Sequence, residues 1–99
     1  MNVEIAEAIF LENDFVTLVQ LAERSGLSEE ELRELIETGA FSPVDVSAWT
    51  FSAHCVVVAR AAYRLREEFA LDDAHALAVV VRLIQRIEAL EAQLRTGRR

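Results

Sequence analysis

Apolar residues recur at helical spacing along most of the chain. Leu18, Leu21 and Ala22 make one stripe. Thr17 and Gln20 stand before and inside it in the Thr-x-x-Gln order of a capping box, where a hydroxyl and an amide satisfy free N–H groups at a helix start. Gly26 supplies a left-handed stop. Ser28 and Glu31 form a second capping box, and Leu32, Leu35 and Ile36 then face inward. Gly39 ends this second helix and Pro43 prevents its resumption. Only Gly26, Leu27 and Ser28 separate the two helices, so they must cross steeply. Leu18 to Pro43 therefore reads as a helix-turn-helix.

The pattern changes on either side. Residues 2–16 are ambiguous between strand and helix and read as a short extended or mixed lead-in. Val44 to Phe51 reads as a small wing or hairpin, with Trp49 and Phe51 alternating around Thr50 so that both pack into the core. Ser52 caps a third helix running to about Phe69. Within it Val56, Ala59, Tyr63 and Arg66 mark one track, Val57, Ala61, Arg64 and Glu68 another, and Arg64 pairs with Glu68. Asp72 or Asp73 caps a last helix. Along it Val80, Leu83, Ile87, Leu90 and Leu94 step at three- and four-residue intervals, a heptad seam widened by Leu77 and Ile84. A helix over 73–96 would be about 36 Å long and would overhang so small a domain. An overhanging apolar seam needs a partner, most simply a second copy. The expected fold is mainly α: one domain over 1–99, with the helix-turn-helix, wing and third helix at about 16–71 and a dimerisation helix at about 72–96.

Charge alters the meaning of this scaffold. The second helix of a helix-turn-helix normally enters the major groove of DNA. Here Glu29, Glu30, Glu31, Glu34 and Glu37 face a lone Arg33, leaving −4 on that element. Residues 1–50 hold 11 acids and two Arg, for −9, whereas residues 51–99 hold six acids and eight Arg, for +2. An acidic helix replaces counterion release with repulsion, and lacks base-reading side chains apart from Arg33. DNA binding is therefore not expected, and a basic protein partner is. The basic concentration at Arg60, Arg64, Arg66, Arg82 and Arg86 is expected to pair with the acidic half or with a sister subunit.

Other chemistry finds no foothold. Cys55 is the sole cysteine, which excludes an internal disulfide and fits a small buried residue. His54 and Cys55 are adjacent and point to different faces, and no metal-ligand spacing occurs, so neither metal nor cofactor is expected. There is no phosphate loop or nucleophile motif, which argues against an enzyme. The longest uncharged run, 46–59, is too short for a membrane span. The acidic start is unlike a secretion signal, and a cytoplasmic location is expected.

The order of helix-turn-helix, Trp-x-Phe wing, Arg-rich third helix and terminal coiled-coil helix resembles a MerR-type domain. Within that fold, GLSEEELRELIETGAFSP, WTF, RAAYRLREEFALD and AHALAVVVRLIQRIEALEAQLR resemble the CbpM family of chaperone modulators, over about Val16 to Arg95. This resemblance implies a non-enzymatic protein that binds the J-domain of a CbpA- or DnaJ-like co-chaperone. It also implies that the bound co-chaperone loses productive contact with DnaK and that its DNA binding is reduced. Glu30, Glu31, Glu34 and Glu37 are the candidate J-domain contacts. Val80, Leu83, Ile87, Leu90 and Leu94 are the candidate homodimer contacts. The wider MerR relationship implies the alternative of a DNA-binding transcriptional regulator without an effector domain. The wing lacks the phosphate-directed Arg residues of MerR wings. A third reading is an assembly subunit that recruits another protein through the seam.

Overall fold

The computed structural model describes residues 15–97. Most of the ambiguous lead-in lies outside them; its last residues are extended. β1 (Phe15–Thr17) pairs antiparallel with β2 (Thr50–Ser52), placing Val16 opposite Phe51. Both side chains are buried, so this short ribbon directs one face into the core.

The helices follow in the expected order. Thr17 and Gln20 form the first capping box at the start of α1 (Leu18–Ser25), and Ser28 and Glu31 form the second at the start of α2 (Glu29–Glu37). Gly26 closes α1 at φ 97°, and a Cβ there would meet the Tyr63 ring at 3.2 Å. Any side chain there would be strained in its backbone and would crowd the Tyr63 ring. The buried Ser25 hydroxyl accepts the Leu27 N–H at 3.1 Å, so the buried polar side chain is satisfied within the turn. At the end of α2, Gly39 N–H donates to the Ile36 carbonyl and Ala40 N–H to the Leu35 carbonyl, with Gly39 at φ 81°. This pairing satisfies carbonyls that the helix end would leave open.

α3 (His54–Phe69) and α4 (Ala74–Gly97) complete the chain. Ala53 holds the cap position of α3, but the Ser52 hydroxyl accepts from His54 N–H at 3.2 Å and so does the expected work one residue earlier. Asp73 accepts from His75 N–H at 3.0 Å, which settles which aspartate caps α4. The core joins Val16, Leu21, Leu27, Leu32, Leu35, Phe51, Val56, Ala59 and Val81, so every element contributes to it.

Three expectations change. The wing itself is as expected: an isolated antiparallel Asp45–Thr50 bridge closes its loop, and β2 goes on to pair with β1. Trp49 is not core. It sits at φ 52°, which turns its ring outward to 37% exposure while Phe51 is fully buried. Such a backbone angle costs a bulky residue about 1 kcal/mol or more. Arg64 and Glu68 are exposed and form no ion pair; the partly buried Arg66 pairs with Glu31 instead. Leu77 does not widen the seam. Leu77, Ala78 and Val81 are buried, with Val80 and Ile84 packed partly against the core.

The rest of α4 is open. Leu83, Ile87, Leu90 and Leu94 are 56%, 56%, 41% and 65% exposed, and every residue from Ala89 to Gly97 is exposed.

Candidate functional site: an acidic helix between a groove and a wing

α2 presents three zones around its axis. Leu32 and Leu35 face the core. Glu30, Glu34 and Glu37, at four- and three-residue spacing, lie on the outward side and are exposed. They form an acidic crest. Glu31 and Thr38 border one side of it, and Arg33 the other.

On the Glu31 side lies a groove of about 430 Å³. α2 supplies Glu31, Glu34, Leu35 and Glu37; the link from α3 supplies Leu71, Asp72 and Asp73; the start of α4 supplies His75, Leu77 and Ala78. Leu35, Leu77 and Ala78 are buried and give the groove an apolar floor. Five carboxylates around a single guanidinium, Arg66, leave this groove net negative. Such a surface suits a basic, partly apolar partner. Asp72 and Asp73 are additions the sequence pattern did not assign to the site: they read there only as helix caps, and the fold brings them beside α2.

Glu31 differs from its neighbours. Its side chain accepts the Ser28 N–H at 2.9 Å and pairs with Arg66. Arg66 in turn lies over the Tyr63 ring at 5.5 Å and near Glu67 at 3.4 Å. Partial burial pushes the Glu31 pKa up, but the Ser28 N–H, the Arg66 charge and hydrogen bonds from both residues outweigh it and lower the pKa. Glu31 is thus held by the fold, whereas Glu30, Glu34 and Glu37 are free to meet a partner.

On the other side of the crest, Arg33 stacks over Trp49 at 5.6 Å, and Trp49 meets Phe51 edge-on at 6.5 Å between ring centres. The cation–π contact ties the wing to α2. Asp45 organises the wing loop: its carboxylate accepts from Ser47 N–H, Ser47 Oγ–H and Ala48 N–H. The Ser47 hydroxyl and the Ala48 and Ser47 N–H groups hold the Asp45 carboxyl below the usual range.

The expected pairing of the arginines is largely internal. Arg60 Nε donates to the Arg24 carbonyl at 3.2 Å, and Arg82 donates to the Thr38 carbonyl. Gln85 donates to the Ala40 carbonyl at 3.0 Å, so α4 ties down the chain where α2 ends. Arg64 and Arg86 remain exposed. His54 Nε2 lies 2.9 Å from Glu88 and joins the start of α3 to the middle of α4. Cys55 is half-buried, and burial pushes its thiol up to about 11, which favours the protonated form at neutral pH. Among the described residues no group of three or more His, Cys, Asp or Glu is placed to hold a metal ion. No helix there is long and apolar enough to cross a membrane.

The chain is 38% identical over 58 residues to chaperone modulatory protein CbpM of Escherichia coli O1:K1, and equally to that of Citrobacter koseri. Each alignment covers 57% of this chain and 57% of the relative, so the chain spans a little over half the length of the curated relatives it matches. The wider match is to the MerR HTH family regulatory proteins and runs over residues 16–99, from the buried Val16 of β1 through the whole of α4. With the capped helix pair, the wing and the long last helix all inside that span, the chain belongs to the MerR helix-turn-helix regulatory protein family.

Proposed function

We propose that this protein is a chaperone modulator that binds the J-domain of a CbpA- or DnaJ-like co-chaperone and blocks its productive contact with DnaK. The observation that carries the proposal is the acidic crest of Glu30, Glu34 and Glu37, standing where a DNA-reading helix would present cations. The adjoining groove adds Asp72 and Asp73 around an apolar floor. A basic helical face on the J-domain is the complement: its cations meet the crest and an apolar side chain reaches the groove. Similarity to chaperone modulatory protein CbpM supports the same role. Two copies associate through Leu83, Ile87, Leu90 and Leu94, with Val80 at the inner end of the seam. An exposed apolar row on an overhanging helix is the support for this.

Calorimetric titration with the isolated J-domain at two salt concentrations tests the proposal. Saturable binding that weakens with salt is expected, and no binding at high micromolar concentration would sink it. Sedimentation of the free chain should give a dimer, and I87D/L90D a monomer; a wild-type monomer would remove the seam from self-association.

The family's helix-turn-helix makes DNA the competing partner. The crest opposes phosphate, so DNA retardation should be absent at physiological salt. Retardation with steep salt sensitivity would favour a transcriptional regulator instead.

A further inference from the structure

We infer that the wing is a second, apolar half of the partner-binding surface, with Trp49 as its anchor; this rests on the chaperone-modulator reading. The occupant is the same basic helix proposed for the crest, and the wing takes an apolar side chain beside its cations.

Three observations carry this. First, the wing loop exposes apolar side chains where a solvated loop would carry polar ones: Val44, Val46 and Trp49 are 59%, 71% and 37% exposed. Second, the loop is built to hold them there. Asp45 accepts three hydrogen bonds within the loop, and Val44 N–H donates to the Thr50 carbonyl at 2.7 Å. Trp49 sits in the left-handed region, at φ 52°, which a large aromatic residue rarely adopts. Strain at an exposed aromatic residue is the kind of feature that clusters at ligand clamps. Third, Arg33 stacks on Trp49 from within α2, so the apolar loop is continuous with the acidic crest. Trp49 with Arg33 stacked on it joins two residue types enriched in interface hot spots.

Trp49 is the sole tryptophan, so 5-fluorotryptophan labels this site alone. The labelled full chain is titrated with unlabelled J-domain and followed by ¹⁹F NMR. In parallel, W49G is titrated calorimetrically, glycine being chosen because it accepts the positive φ and preserves the turn. The expected result is a shifted fluorine resonance in the complex and an affinity loss of about tenfold or more in W49G. Wild-type binding with an unmoved resonance and unchanged W49G affinity would overturn this inference while leaving the crest in place. A moved resonance with unchanged affinity would also overturn it, since Trp49 would then lie beside the interface without holding it. Affinity loss without a shift would do the same, because the loop would then act only through its fold. Absence of any wild-type binding overturns both readings.

Discussion

Helices α2 and α3 carry opposite charges and use them differently. On α3, Arg60 reaches the Arg24 carbonyl, and Arg66 bridges Glu31 and Glu67 while covering Tyr63. On α2, Glu30, Glu34 and Glu37 stay exposed, and the single ion pair within the helix, Arg33 to Glu29, is a loose 3.9 Å contact. Exposed pairs of that kind contribute little. Arg60 and Arg66 therefore stabilise the fold, while Glu30, Glu34 and Glu37 remain available. Net charge alone would not separate these two uses; burial and partnership do.

The largest expected effect is on partner affinity. Charge reversal in E30K/E34K should weaken J-domain binding by about tenfold to a hundredfold while leaving the thermal midpoint within a few degrees, since neither side chain has a structural partner. Unchanged calorimetric affinity would remove the crest from the interface. The converse substitution is on Arg66. R66M should lower stability by about 1–2 kcal/mol in urea unfolding, because the guanidinium is mostly buried and its loss leaves Glu31 half-buried without a cation. A loss no larger than that of the exposed Arg64→Met would erase the contrast between structural and free charges.

The smallest effect is on the acid limb of stability. Glu31 titrates below its ordinary value of 4.5 in the folded protein. A depressed carboxylate contributes stability that is fully present above the unfolded value and is lost as pH falls through the folded one. The stability difference between wild type and E31Q should thus shrink as pH drops below about 4.5. A difference that stays constant through that range would show that Glu31 acts through its neutral hydrogen bonds alone.

Local signals in the sequence were dependable where the physics is local. Both capping boxes and the Gly26 stop depend on residues within a few positions and appear in the structure, while the last-helix cap, open between Asp72 and Asp73 in the sequence, falls to Asp73. The heptad spacing of α4 was legible too, but spacing cannot say which stripe meets the core. Leu77, Ala78 and Val81 took that place, and Leu83, Ile87, Leu90 and Leu94 were left outside. Alternation over Trp49 and Phe51 misled for a related reason. Two residues do not make a strand, and the positive φ at Trp49 removes it from the strand's period. The acidic crest could be read from Glu30, Glu34 and Glu37 directly. The groove could not, because Asp72 and Asp73 reach α2 only through the fold. The Arg66–Glu31 pair, 35 positions apart, lay beyond any local pattern for the same reason.

All ten permanently charged basic side chains in this sequence are arginines, and lysine is absent. The ties made by Arg60, Arg66 and Arg82 therefore have no proton to lose at any physiological pH. They also offer no ε-amine to acetylate. Lysine-directed enzymes and reagents, which retune charge on many surfaces, have no target side chain in these 99 residues. The contrast between the held Arg60, Arg66 and Arg82 and the open Glu30, Glu34 and Glu37 thus lies beyond the reach of lysine chemistry, and ionic strength remains a lever on the open side.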